Sequence, residues 1–138
     1  MDAAGSQRKR ILVCEDDTLV ASSIIDSLTG AGYEVVGPVS SAEEALSLVA
    51  RDQPAVALVD IALKGTLDGV ELAQRLSPMG IQVVYLTANE ARAEAGRAHA
   101  VDALIKPIRL ASFLSVIGKA AARWQGRVGS VTYVDFAR

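Results

Sequence analysis

Acids, a hydroxyl and a lysine follow the short apolar runs of this sequence. Three acids come after "ILVC", one acid after "VALV", a threonine after "VVYL" and a lysine after "ALI": Glu15, Asp16, Asp17, Asp60, Thr87 and Lys106. Carboxylate oxygens are ligands for hard cations such as Mg²⁺, which keeps several waters and readily joins phosphoryl oxygens. A carboxylate beside such an ion can attack phosphorus and form an aspartyl phosphate. A lysine and a hydroxyl can bind the phosphoryl oxygens, so these residue types indicate phosphoryl chemistry.

The apolar runs alternate with segments of helical spacing, and this alternation predicts the fold. The predicted strands are 11–14, 34–39, 56–59, 81–86 and 103–105, and the predicted helices are 19–28, 42–50, 70–76, 90–98 and 110–123. We predict an α/β protein with a doubly wound, five-stranded parallel sheet and helices on both faces. Strands covered on both faces are apolar throughout, which explains why these runs do not alternate with polar residues. Ser41 and Glu44 form a capping-box pattern at the second predicted helix.

Each of the polar residues also has a purely structural explanation. Asp17 or Thr18 could cap the first predicted helix, since short polar side chains commonly do so. Asp60 could open a turn, and Lys106 could be a solvated side chain. Ligands of open α/β sheets bind outside the carboxyl ends of the strands, however, and all of these residues are predicted at that edge. Their common position favours one shared site.

Length and charge bound the class of protein. The chain has 138 residues, 51% of them hydrophobic, which suits one core rather than two full domains. We predict a flexible arm over residues 1–8, one domain over residues 9–123 and a tail over residues 124–138. The net charge of −2 provides no basic surface, so direct binding to nucleic acid is not expected.

The cysteine count and the length of the apolar runs bear on the compartment. Cys14 is the only cysteine, which excludes an internal disulfide and fits a reducing environment. No apolar run reaches the ~18 residues of a membrane span, and the N-terminus lacks the apolar core of a secretory signal. We therefore expect a cytoplasmic protein with no membrane partner.

Four stretches of the sequence resemble one known family. "ILVCEDD", "VALVDIALKGTLDGVEL", "VVYLTA" and "LIKPI" occur in the order found in receiver domains of two-component response regulators, and the resemblance covers roughly residues 9–122. It implies a flavodoxin-like fold that accepts a phosphoryl group from a histidine kinase or a phosphotransfer protein. It also implies bound Mg²⁺ and a cis Lys106–Pro107 peptide bond.

The resemblance assigns roles to individual residues. Asp60 matches the phospho-accepting aspartate, Thr87 matches the switch hydroxyl, and Lys106 matches the lysine that contacts the phosphoryl group. The implied metal ligands are Glu15, Asp16, Asp60 and the backbone carbonyl of Ala62. The resemblance thus predicts one phosphorylation site at the edge of the sheet.

Two departures from the family concern the switch rather than the site. Ala103 occupies the position, three residues before the lysine, where the family usually has an aromatic side chain that swings inward on phosphorylation. Thr87 and Lys106 are 19 positions apart, fewer than is common in the family, so we predict a short fourth helix or a short loop after it. These departures leave open how phosphorylation of this chain reaches its output surface.

We expect a response regulator that is not an enzyme and that acts through contact with a downstream protein. Only 15 residues follow the last predicted helix, so no DNA-binding domain is expected. One alternative is a receiver that associates constitutively or serves as a phosphate sink, with little phosphorylation-driven switching, as Ala103 and the short helix would favour. A second is an aspartyl-phosphate phosphohydrolase of the haloacid dehalogenase type. That type needs a second aspartate where Ala62 stands.

The tail contains a segment with strand propensity, "SVTYVDF". In an extended strand Thr132, Val134 and Phe136 would share one face. A strand of this length requires a sheet edge or a helix to pair with, so it could form a dimerisation arm on a second copy of the chain. The alternative is a frayed terminus.

Overall fold

Five strands and five α-helices alternate along residues 9–125, the part of the chain that the computed structural model describes. The strands are β1 (Arg10–Cys14), β2 (Glu34–Val39), β3 (Val56–Asp60), β4 (Gln82–Thr87) and β5 (Asp102–Ile105). The helices are α1 (Thr18–Gly30), α2 (Ala42–Arg51), α3 (Gly69–Leu76), α4 (Glu90–Ala95) and α5 (Leu110–Arg123). The predicted arm over residues 1–8 and the strand predicted in the tail lie outside the described residues, and the domain boundaries stay a prediction.

The strands form one parallel sheet in the order β2-β1-β3-β4-β5. From β1 the chain moves outward to β2, and from β3 it moves outward in the opposite direction to β4 and β5. The direction of winding therefore changes between β1 and β3, and the crevice at their carboxyl ends is where such sheets bind ligands. The predicted doubly wound sheet is confirmed.

Helices cover both faces of the sheet, as predicted. On one face α1 and α5 pack through Ile24 and Phe113, and on the other α2 and α3 pack through Val49 and Leu72. The strand β3 lies in the centre of the sheet, and its apolar residues have no exposed surface. Burial on both faces is the physical reason for the unbroken apolar runs in the sequence.

The ends of two helices differ from the sequence-based expectation. Ser41 caps α2 by accepting from the Glu44 N–H, but Glu44 Oε1 accepts from the Ser40 N–H at 3.0 Å instead of completing the box with Ser41. The predicted capping box is therefore displaced by one residue. Helix α4 ends at Ala95 rather than near residue 98, and a short 3₁₀ turn, Arg97–His99, follows it. The fourth helix is short, as the spacing predicted.

The lengths of the helices bear on membrane insertion. Among the helices of residues 9–125, none has both the length and the apolar character needed to cross a lipid bilayer.

Candidate phosphorylation site

The ends of four strands bring the predicted site residues together. Glu15 directly follows β1, Asp60 and Thr87 are the last residues of β3 and β4, and Lys106 directly follows β5. Lys106 Nζ lies 2.9 Å from Glu15 Oε1 and 3.4 Å from Asp60 Oδ2. Because parallel strands end at the same edge of the sheet, residues far apart in the sequence meet in one crevice.

Three carboxylates form an acidic cluster beside this lysine. Glu15, Asp16 and Asp60 each place a carboxylate oxygen within 4.8 Å of the other two. Glu15 and Asp60 are buried, whereas Asp16 is partly exposed. Buried carboxylates this close repel one another, and a hard divalent cation with oxygen ligands relieves that repulsion. The donor set therefore fits Mg²⁺, which receiver domains as a class bind at an acidic pocket.

The charges of Lys106 and Glu15 are linked. Burial disfavours the charged form of Lys106, but the hydrogen bond to Glu15 and the charge of Asp60 outweigh it, so the pKa of Lys106 is raised. Burial raises the pKa of Glu15, with the Asp17 N–H and Lys106 acting in the opposite direction. Lys106 is consequently a permanent cation at neutral pH, placed between two acids.

The backbone around Asp60 is held on two sides. Asp60 Oδ1 accepts from the Ala62 N–H at 2.9 Å, which places Ala62 directly at the acidic cluster. The Gly69 N–H donates to the Ile61 carbonyl at 3.0 Å, and a Cβ at position 69 would collide with the Asp60 carbonyl oxygen. Sequence reasoning missed this role of Gly69, although glycine is the residue that permits a close approach of the backbone. The metal-binding role of the Ala62 carbonyl stays a prediction.

Thr87 is buried and bonds to the start of α4 rather than to Asp60. Its Oγ1 accepts from the Asn89 N–H at 2.9 Å and donates to the Asn89 carbonyl at 3.2 Å. The Asn89 side chain in turn caps α4 by accepting from the N–H groups of Ala91 and Arg92. The Thr87 hydroxyl, which is the predicted switch group, is therefore hydrogen-bonded to the residue that caps the start of α4.

Two further residues border the acidic cluster. Asp17 caps α1, accepting from the Leu19 and Val20 N–H groups, so its structural explanation is correct. The largely exposed side chain of Lys64 places its Nζ 3.9 Å from Asp16 Oδ2. The sequence pattern did not identify this cation as a neighbour of the cluster. The Lys106–Pro107 peptide bond is cis, as the resemblance implies.

An apolar groove of about 590 Å³ opens beside Lys106, between α1 and α5. Its rim carries Leu19 and Leu110, whose side chains are 82% and 57% exposed. Pro107 and Ile108 line the same groove. Large apolar side chains exposed side by side commonly mark a contact surface for another protein.

On the outer part of the sheet, Ala103 of β5 lies beside Tyr85 of β4 in the strand pairing. The Tyr85 ring is buried, and its hydroxyl donates to the Gly96 carbonyl at 2.7 Å. The aromatic side chain absent from β5 is thus present on the neighbouring strand. Sequence reasoning missed Tyr85, because nothing local distinguishes it from other apolar residues of its strand.

Comparison with known proteins agrees with this geometry. "Transcriptional regulatory protein PdtaR" of Mycobacterium tuberculosis is 28% identical over 128 residues, covering 90% of this chain and 62% of that protein. "Response regulator MprA" of Mycobacterium leprae is 37% identical over 113 residues, covering 78% of this chain and 49% of that protein. The chain thus spans only part of the length of these relatives.

Two solved structures and one protein family also match this chain. A putative response regulator from Chloroflexus aurantiacus superposes with a TM-score of 0.78 at 28% identity, covering 84% of this chain and 99% of that chain. A CheY-like receiver domain protein from Methanospirillum hungatei gives a TM-score of 0.76 at 27% identity, covering 86% and 97%. The family described as response regulator receiver domain matches residues 11–118. The chain therefore belongs to the receiver domain family of response regulators, which acts in phosphorylation-based two-component signalling.

Proposed function

We propose that Asp60 accepts a phosphoryl group from a histidine kinase or a phosphotransfer protein. The observation that carries this proposal is the position of Lys106 Nζ, 3.4 Å from Asp60 Oδ2, at the carboxyl ends of strands of one parallel sheet. An ammonium at this distance can compensate the charge of a phosphoryl oxygen attached to Asp60. Asp60 also stands at the end of a fully buried strand, which fixes the position of the nucleophile.

The transfer needs no other covalent partner. An Asp60 carboxylate oxygen attacks the phosphorus of the donor phosphohistidine, a P–O bond forms, and the P–N bond breaks. The donor imidazole leaves with the electron pair of that bond and takes up a proton from solvent. Lys106 and the Thr87 hydroxyl can bind the phosphoryl oxygens, since both lie at the same edge as Asp60.

Glu15, Asp16 and Asp60 would hold Mg²⁺, together with the Ala62 carbonyl. When bound, the ion supplies positive charge to the phosphoryl oxygens during transfer. The residues of this chain contribute the rest: Lys106 remains charged, and the Ala62 N–H orients the Asp60 carboxylate.

The groove beside Lys106 supports a protein as the phosphodonor. A donor histidine must come within bonding distance of Asp60, so the surface around it has to be in contact with the donor. Leu19 and Leu110 expose apolar area there, and Lys106 belongs both to the groove and to the site. We infer that these two leucines contact the donor protein, as the apolar centre of an interface would.

The output of the chain is proposed to be a contact with a downstream protein rather than a catalysed reaction. A constitutively associating or phosphate-sink receiver is the second candidate, and the short α4 together with Ala103 in place of an aromatic side chain favours it. The phosphohydrolase alternative lacks the second aspartate, because Ala62 stands at that position. Cytoplasmic location and homodimer formation through the tail remain predictions from the sequence.

Intact mass spectrometry tests the proposal. The protein is incubated with acetyl phosphate, with and without Mg²⁺, and the gain of one phosphoryl mass is measured. We expect the gain in the wild-type protein with Mg²⁺ and in Asp26→Asn, which removes an exposed acid of α1. We expect no gain in Asp60→Asn. Equal labelling of Asp60→Asn and the wild type would overturn the assignment.

A further inference from the structure

Helix α4 is connected to β4 at both of its ends. At its start, the Thr87 hydroxyl bonds to the backbone N–H and carbonyl of Asn89, the residue that caps the helix. At its other end, the Tyr85 hydroxyl donates to the carbonyl of Gly96, the residue that follows the last turn. Thr87 and Tyr85 are two residues apart on one strand, so their side chains lie on the same face of the sheet.

The connection at Gly96 is tightly packed. Tyr85 is 1% exposed, and its hydroxyl bond of 2.7 Å is buried. A Cβ at Gly96 would lie 2.8 Å from Tyr85 Oη and 2.9 Å from Val70 Cγ2, so only glycine allows this approach. Losing the bond would leave the buried Tyr85 hydroxyl without a partner, which is costly. This end of α4 is therefore a fixed point.

The connection at Asn89 is exchangeable. A threonine hydroxyl has one proton to donate, and Thr87 gives it to the Asn89 carbonyl at 3.2 Å. If Thr87 turns to donate to a phosphoryl oxygen on Asp60, that bond is lost. The Tyr85 bond involves no atom that Thr87 uses, so it survives the change.

We propose that Tyr85 is a positioning residue that fixes the C-terminal end of α4, so that α4 pivots about Gly96 when Thr87 engages the phosphoryl group. This proposal rests on the proposed function for its trigger. Tyr85 lies beside Ala103, the position where the family usually has an aromatic side chain that moves on phosphorylation. In this proposal Tyr85 does not move and anchors α4. The end that moves carries the acidic residue Glu90 and the Arg92–Asp68 ion pair, which joins α4 to the start of α3.

Amide hydrogen exchange measured by NMR tests the anchor residue by residue. The reporters for the start of α4 are the Ala91 and Arg92 amides, which bond to Asn89 Oδ1. The reporters for its end are the Gly96 and His99 amides. Wild type, Tyr85→Phe and the control Tyr33→Phe are compared, each with and without acetyl phosphate and Mg²⁺. Both variants remove only a hydroxyl, which keeps the ring packing intact.

In the wild type and in Tyr33→Phe, phosphorylation should speed amide exchange at Ala91 and Arg92. It should leave exchange at Gly96 and His99 unchanged. In Tyr85→Phe the Gly96 and His99 amides should exchange roughly five- to tenfold faster even without phosphate, because a buried hydrogen bond is lost. Exchange at Gly96 and His99 that is the same in Tyr85→Phe and the wild type would overturn the anchor. Equal acceleration at both ends of the phosphorylated wild type would overturn the pivot.

A Thr87→Ala variant separates this proposal from the phosphorylation site. It removes the bond to Asn89 without any phosphoryl group, so it should speed exchange at Ala91 and Arg92 and spare Gly96. Intact mass of the same samples reports phosphorylation. If no phosphoryl group is gained, the proposed function fails. Thr87→Ala still tests the pivot in that case. Faster amide exchange confined to the start of α4 supports the pivot, and faster exchange at both ends refutes it.

Discussion

Lys106 Nζ lies 3.4 Å from Asp60 Oδ2, although the two residues are 46 positions apart in the sequence. The same ammonium lies 2.9 Å from Glu15 Oε1. One lysine thus compensates two buried acids. This relationship explains how a sheet edge rich in carboxylates is stable, and it places a cation where a phosphoryl oxygen would need one.

Removing the Lys106 charge should destabilise the metal-free protein. Lys106→Met leaves Glu15 and Asp60 buried without their cation, and we expect a loss of about 1–2 kcal/mol in the free energy of unfolding. This loss is smaller than that expected for a fully buried ion pair, because the Lys106 side chain is 26% exposed and solvent screens its charge. Urea unfolding without Mg²⁺ measures it. Lys119→Met, on the exposed side of α5, is the control and should change little; equal stability of the two variants would contradict the electrostatic role.

Asp16 should matter for metal binding more than for folding. Asp16→Ala removes one oxygen ligand from a cluster whose members lie within 4.8 Å of one another, so Mg²⁺ affinity should fall at least about tenfold. The metal-free variant should be no less stable than the wild type, because like-charge repulsion is relieved. Titration calorimetry gives the affinity, with Asp26→Ala as the matched control. An unchanged Mg²⁺ affinity in Asp16→Ala would remove this residue from the proposed ligand set.

Gly69 should tolerate no side chain. In Gly69→Ala the new methyl group meets the Asp60 carbonyl and the Ile61 backbone, and backbone atoms cannot move aside as a flexible side chain can. We expect a loss of ~2 kcal/mol or more in the free energy of unfolding, together with slower phosphorylation of the displaced Asp60. Gly30→Ala, where no atom lies within 4 Å of the new Cβ, is the control for an added methyl group. Urea unfolding curves that coincide for the two variants would refute the close approach.

Glu44 should contribute a pH-dependent part of the stability. Hydrogen bonds from the Ser40 backbone N–H and hydroxyl lower the pKa of Glu44 below its ordinary 4.5. A lowered folded-state pKa means that the stabilisation is present above the unfolded-state value and is lost as pH falls through the folded-state value. The wild type should therefore be more stable than Glu44→Gln at neutral pH, and this difference should vanish in acid. Thermal unfolding across pH measures the difference, with Glu43→Gln as control; a difference that grows in acid would show the sign to be wrong.

Much of the fold follows from patterns that are local in the sequence. Burial on both faces of a parallel sheet produces unbroken apolar runs, and these runs located all five strands to within a residue at each end. Parallel sheets bind ligands at the carboxyl ends of their strands, so the sequence alone predicts one shared site for Glu15, Asp60, Thr87 and Lys106. Their chemical roles remain predictions that rest on family resemblance.

Contacts between distant elements could not be predicted in this way. The Tyr85–Gly96 bond depends on how α4 packs against β4, and no local pattern encodes that distance. The close approach of Gly69 to Asp60 depends on the path of the connecting loop. The Glu44 carboxylate accepts from the backbone N–H of Ser40 rather than that of Ser41, a detail of backbone geometry that the capping-box pattern does not specify.

Location of the phosphoryl group at the level of a single residue tests the central claim most directly. After incubation with acetyl phosphate and Mg²⁺, borohydride reduces an aspartyl phosphate to homoserine, and tandem mass spectrometry of the digested protein finds the altered residue. We predict homoserine at position 60 and at no other acid of the cluster, because Asp60 alone combines the end of a central strand with the Lys106 ammonium. Reduction at Glu15 or Asp16 in the wild-type protein, with position 60 unchanged, would contradict the account.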